Sequence, residues 1–288
     1  MKIKILEIIT VVILLVSVAS TVGQTAIEKT QKNEPTTLDD DVPIWSVGDS
    51  WTYTVNDFTF DYQGSSQKLY FDGSIADFTW TVVDTSGSTY TVDFTGKLNC
   101  EYDIYLSLSS LTLAVSGTMK ETLTHMSGTL IFTKSNLQLQ DMSAEIKGIT
   151  MAKIYPLPIP FPIPFKVKIN GDLSNEFPLF DFPLSTNKFW TLPDMDIVMS
   201  VHAGGPFGII DIPITFSTHY SWMPLAFHCK DKKDITVEAG SFNAWEIEST
   251  FFDLFEYYYA PSVGNIIKID ATMPNGDINA ELKSTNYS

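Results

Sequence analysis

Apolar residues recur at every second position along most of this chain. Trp51, Tyr53 and Val55 share one parity; so do Phe78, Trp80 and Val82, and, after Ser86-Gly87-Ser88, Tyr90, Val92 and Phe94. A period of two with turn residues between the runs predicts strand, turn, strand. Cys100, Tyr102, Ile104, Leu106 and Leu108 continue the pattern. The stretch Val115–Met119 is echoed by Met126–Leu130, as successive strands would be. Short strands follow at Leu137/Leu139, Ala144/Ile146 and Ile210–Phe216. Near the end, Gly240 sits where a turn needs positive φ, Trp245 and Ile247 lie on a strand, and Ile266–Met273 with Ile278–Leu282 predict a hairpin around Asn275-Gly276. Helical periodicity is absent except for one short candidate, Phe251–Tyr257. The fold class is therefore all-β: an antiparallel meander forming a curved sheet, open barrel or sandwich, with at most one or two short helices.

Two blocks break the alternation. Pro156, Pro158, Pro160, Pro162 and Pro164 alternate with Leu157, Ile159, Phe161, Ile163 and Phe165. Proline lacks an N–H and fixes φ, which predicts an extended polyproline-like segment outside any central strand, presenting an apolar row. A second block, Phe177–Leu184, holds Phe177, Phe180 and Phe182. Large exposed apolar patches are avoided by soluble monomers, so the row must lie against something apolar. It either caps the sheet's own core or, with the second block, flanks a cleft for an acyl or isoprenoid chain.

The first residues set the compartment. Lys2 and Lys4 precede an apolar run from Ile8 to Ala19, followed by small residues. This predicts a signal peptide over 1–23, with membrane contact only through that segment if it is not cleaved. Residues 24–42 are polar, end in Asp39–Asp41 and read as a disordered acidic tether. Residues 43–288 read as one large β-rich domain. The expected location is secreted or cell-surface.

Charge removes several function classes. The net charge is −16 and every basic residue is a lysine. With no guanidinium to read guanine and no basic stripe to displace counterions, nucleic acid is not a partner. Cys100 and Cys229 are the only cysteines. In an exported chain an even pair fits one disulfide, and two buried free thiols are the alternative.

Chemistry-bearing motifs are sparse. His125, His202, His219 and His228 lack the short fixed spacing of a zinc site, and Asp39–Asp41 lack the glycine turn and closing glutamate of a calcium loop. Asp194 and Asp196 would share a face on a strand, as paired carboxylates of glycoside hydrolases do at about 5–10 Å, but a solvated acidic rim is the favoured reading. The run Tyr257–Tyr259 offers rings for sugar stacking, or simple alternation between core and surface. No catalytic motif, cofactor fingerprint or metal cluster stands out, so no catalytic residue, cofactor or metal is assigned.

The segments Trp45–Tyr53 (WSVGDSWTY), Thr236–Trp245 (TVEAGSFNAW) and Tyr258–Lys268 (YYAPSVGNIIK) resemble the opening strand and C-terminal module of exported prokaryotic, archaeal-type β-rich proteins. The resemblance implies an extracytoplasmic β domain, with a curved sheet similar to that of periplasmic lipoprotein carriers. It assigns no catalytic residues, and the proline-rich block is not part of it. Non-enzymatic binding of an apolar or lipid-like ligand is the leading expectation. A cell-surface structural or glycan-contacting role is the rival, and a secreted hydrolase the third.

Overall fold

A computed structural model describes residues 42–63, 67–108, 111–155, 159–178, 180–191, 196–204, 214–219, 226–249, 255–273 and 276–287. The predicted leader and nearly all of the tether, residues 1–41, lie outside them, as do Ile210, Ile212 and Asp194. The described residues form strands and no helix. The long strands are β1 (Ser50–Gln63), β2 (Gln67–Asp84), β3 (Thr89–Leu108), β4 (Leu111–Thr133), β5 (Leu139–Ile154) and β6 (Phe161–Phe177). Shorter ones follow: β7 (Lys188–Thr191), β8 (Asp196–Gly204), β9 (Ile214–His219), β10 (Ala226–Val237), β11 (Gly240–Ser249), β12 (Phe255–Ala260), β13 (Asn265–Met273) and β14 (Gly276–Thr285).

All are antiparallel in one curved, unclosed sheet with the order β7-β10-β11-β12-β13-β14-β1-β2-β3-β4-β5-β6-β8-β9. Two meanders, β1–β6 and β10–β14, meet where the first strand pairs with the last, from Trp51↔Thr285 to Phe58↔Ile278. Alternation dictates the faces, because successive side chains of a strand point to opposite sides. On β3, Tyr90, Val92, Phe94, Gly96, Leu98 and Cys100 are buried and the residues between them are not.

Long flat strands could not bring these inner residues into one core. Irregularities run across the sheet in a line, between Val55 and Phe58, Ala76 and Thr79, Lys97 and Cys100, and Met119 and Thr124. Extra residues at such points bend strands and increase their twist. The sheet curls, and inner residues of both meanders share one main cluster that includes Trp51, Trp80, Phe132, Ile247, Tyr257 and Ile269. Aromatic rings lock it in tilted and edge contacts, such as Trp45–Phe132 at 5.6 Å and Phe78–Phe94 at 5.6 Å.

Several expectations are corrected. The proline-rich segment does enter the sheet: Phe161–Phe165 pair with Ala152–Gly148 of β5. Proline is tolerated because Pro162 and Pro164 are two apart, so both missing N–H groups face away from β5. On that far side, among the described residues, β8 pairs with β6 from Lys166 onward, and Phe161–Phe165 have no described partner there. On such an open side proline costs no ladder bond. The short helix expected at Phe251–Tyr257 is not seen, since Phe255–Tyr257 belong to β12 and 251–254 lie outside the described residues. Strand propensity of Phe and Tyr, and a partner on each side, win over local helix preference. The Cys100–Cys229 bridge is not formed: both side chains are buried, and β11, β12, β13, β14, β1 and β2 stand between their strands in the sheet. Burial pushes the Cys100 thiol up to about 12, so it behaves as a small apolar side chain.

Gly240 has the expected positive φ of 137°. Gly276 does not; it pairs with Met273 as the first residue of β14, while Asn275 lies outside the described residues. Glycine is required there for another reason. A Cβ at 276 would stand 2.0 Å from the Thr59 carbonyl oxygen of β1. Gly276→Val should therefore destabilise the protein by about 1–3 kcal/mol through overpacking against backbone. Urea denaturation checks this, and an unchanged midpoint would contradict the close approach.

Candidate functional site

The inner face splits into two clusters along the long strands. The smaller lies at the far end of β2–β6, built from rows in register. Phe71, Tyr102, Gly117, Ala152 and Phe161 face one another across five strands, and Ile104, Val115 and Ile154 form the next row. Tyr102, Ala152 and Ile163 are buried; Phe71, Ile104, Val115, Met119, Ile154 and Phe161 pack against them half-buried. Gly117 makes room for the Tyr102 ring, because a Cβ there would stand 2.7 Å from the Tyr102 hydroxyl oxygen. That hydroxyl is tied to the Thr150 hydroxyl at 3.0 Å, and Thr150 donates to the Thr118 carbonyl at 2.9 Å. Burial raises the Tyr102 hydroxyl above its ordinary pKa, so it stays neutral. The surface is apolar, and its polar atoms are satisfied internally.

Of the residues expected to line a cleft, Ile163 is buried in this cluster, Phe161 packs against it, and Phe165 is half-buried on the same strand. Ile159 is 72% exposed, and Leu157 lies outside the described residues. The second block goes elsewhere. Phe177 closes β6 opposite Leu139. Phe180 packs in the main cluster 4.8 Å from Tyr259 and 5.7 Å from Tyr257, with Phe182 5.5 Å from Tyr259. The two blocks therefore do not flank one cleft. What the first block joins is a row from β2–β5. Period-two alternation places Tyr102, Ile104 and Val115 on this face, but only register reveals that they meet Phe161.

The outer face of β10–β12 holds a dense charged cluster. Tyr257 and Tyr259 point into the core while Tyr258 points out and donates to Glu256 at 2.8 Å. The tyrosine run is thus alternation. Glu246, 2% exposed, faces Tyr258 across the strands, and Glu248 faces Glu256. Carboxylate oxygens of Glu246, Glu248 and Glu256 lie within 4.8 Å of one another. Lysines already occupy them: Lys230 bridges Glu246, at 3.1 Å, and Glu248, while Lys233 holds the other Glu246 oxygen. His228 adds a 3.1 Å contact to Glu248 and stacks on Phe189 at 4.1 Å. His125 is exposed on β4, and the side chains of His202 and His219 lie outside the described residues. Burial alone would raise the Glu246 and Glu248 pKa values, but the lysine ammoniums outweigh it and hold both below the ordinary range. This is an ion-pair network joining β10 to β11 rather than a reactive constellation.

No family model, curated protein or solved structure matches the chain. Nothing in those comparisons or among the described residues positively indicates a catalytic site.

The network has a pH signature. Glu246 and Glu248 have depressed folded pKa values, so their stabilisation is present above the unfolded value near 4.3 and is lost as pH falls through the folded values. Lys230→Met should cost about 1–3 kcal/mol at pH 7, less than a fully buried pair because Lys230 is partly exposed. Urea midpoints at pH 7 and pH 3.5 check it. The gap between variant and wild type narrows at the lower pH; a gap independent of pH would contradict the network.

Proposed function

We propose that this protein is a non-enzymatic, extracytoplasmic binder of an apolar, lipid-like ligand, held on the apolar end of the β2–β6 inner face. The observation that carries the reading is the row of half-buried apolar side chains at that end, Phe71, Ile104, Val115, Ile154 and Phe161. Of these only Phe71 also packs against the main core, and the Tyr102 hydroxyl among them is satisfied by Thr150, so no polar group there demands a polar ligand. The leader supports export, and the open curved sheet agrees with the resemblance to carrier-type β proteins. An acyl or isoprenoid chain laid along these rows removes further apolar surface from water. Each buried CH₂ contributes about 0.8 kcal/mol, so about ten suffice for useful affinity after ordering costs. Phe161, the first residue of β6 and beyond its described pairing with β8, is placed to line the path.

Mass spectrometry of organic extracts from host-purified protein tests the reading. Stoichiometric lipid is expected in wild type and is lost in Phe161→Asp, with the urea midpoint only modestly lowered. Absence of stoichiometric lipid, together with a Phe161→Asp effect confined to stability, would replace the carrier by a structural surface protein.

A further inference from the structure

The opposite face of the same strands carries a second concavity. It has a volume of about 630 Å³ and touches the apolar rows only at Tyr102 and Gly117. One line of its wall is in perfect register across β1 to β5: Asp61, Tyr70, Asp103, Ser116 and Lys153. A second line beside it brings Glu101, Thr118 and Met151. Its floor includes the bare backbone of Gly117, behind which the Tyr102 ring packs.

The lining is a dense alternation of donors and acceptors. Asp61, Glu101 and Asp103 accept; Lys68 and Lys153 donate; Ser116, Thr118 and Tyr70 do both. Lys68 pairs with Asp103 at 2.9 Å with both side chains over 40% exposed, so the pair remains open to an incoming hydroxyl. Tyr70 donates to Asp72 at 3.1 Å, which fixes its ring beside the trough. One wall is apolar, from Met151 and Pro160, and Tyr105 stands exposed opposite Lys68. Polar side chains that pair hydroxyls, next to small apolar patches for C–H faces, are what a sugar chain presents a use for. A lipid tail gains little from such a lining.

Spacing adds an independent argument. Neighbouring strands lie about 4.8 Å apart, so the registered line from Asp61 to Lys153 spans roughly 19 Å. An extended hexopyranose chain repeats at nearly the strand interval. A chain crossing the strands therefore meets a polar side chain at each strand, in the order Asp61, Tyr70, Asp103, Ser116 and Lys153. Charge selects among sugars: the trough has more carboxylates than lysines, and the whole chain is at −16, which disfavours a polyanion. We infer that this outer trough binds a neutral oligosaccharide laid across β1–β5.

The full exported protein is titrated calorimetrically with cellohexaose, mannohexaose and chitohexaose, and with hexagalacturonate as the anionic contrast. At least one neutral hexasaccharide is expected to bind. Asp61→Asn, an exposed change, should weaken it by about tenfold, the loss of one charge-assisted hydrogen bond. Ser116→Trp, which fills the middle of the trough, should abolish it, with an unchanged urea midpoint showing that the sheet is intact. Phe161→Asp should leave the titration unaltered, since it lies on the other face. No binding of any neutral hexasaccharide up to ~10 mM overturns the inference. So does binding that neither trough variant affects, or equal binding of hexagalacturonate.

Discussion

Three buried ring donors hold the two ends of the chain together, and the rest of the sheet depends on them. Trp45 Nε1 donates to the Gly264 carbonyl at 3.1 Å, Trp51 Nε1 to Val263 at 2.8 Å, and the Tyr53 hydroxyl to Ile266 at 2.9 Å. The acceptors sit in and just after the tight turn between β12 and β13, where the Val263 and Gly264 amides both return to the Ala260 carbonyl. A turn packed under aromatic rings cannot send its outward carbonyls to water. Left unpaired, each would cost about 1–3 kcal/mol. Residues 45–53 supply the partners from more than two hundred positions away in sequence. The grip fixes β1 against β14 and so makes one sheet of two meanders.

From that junction the two halves of the structure diverge in character. Toward the junction, inner residues of both meanders meet and bury one another. Beyond the line of register shifts, β2–β6 run on past the second meander, and their inner face ends in the half-buried rows around Tyr102. The same extension exposes an outer polar trough. A strand must place alternate residues on opposite faces, so one set of long strands carries an apolar surface and a hydroxyl-rich one back to back. The two proposed ligands follow from the two parities of the same residues.

Much of this was legible beforehand. Alternation reports the face of each residue, and Trp51, Tyr53, Phe78, Trp80, Val92 and Phe94 all lie where their parity placed them. What alternation lacks is register. Nothing local says that Asp61 stands in line with Lys153, or that Phe161 meets Tyr102, because each strand's shift against its neighbour is set by bulges and turns far away. Proline misled for a related reason. Its missing N–H excludes a ladder on one side only, and β8, as described, ends at Gly204 opposite Lys166, just short of the prolines. Cysteine parity misled because an even count says nothing about separation, and burial within an apolar face is enough to account for Cys100 and Cys229. That the segments at 45–53 and 258–268 touch across the sheet is likewise beyond pattern analysis.

The central claim is that the indole grip on the β12–β13 turn stabilises both meanders as one unit. Native-state hydrogen exchange on Trp51→Phe tests it directly. The account predicts a loss of roughly 2–4 kcal/mol, from the orphaned Val263 carbonyl and the smaller ring, appearing equally in amides of β3 and of β11. Loss confined to β12 and β13, with β3 protection unchanged, would contradict it.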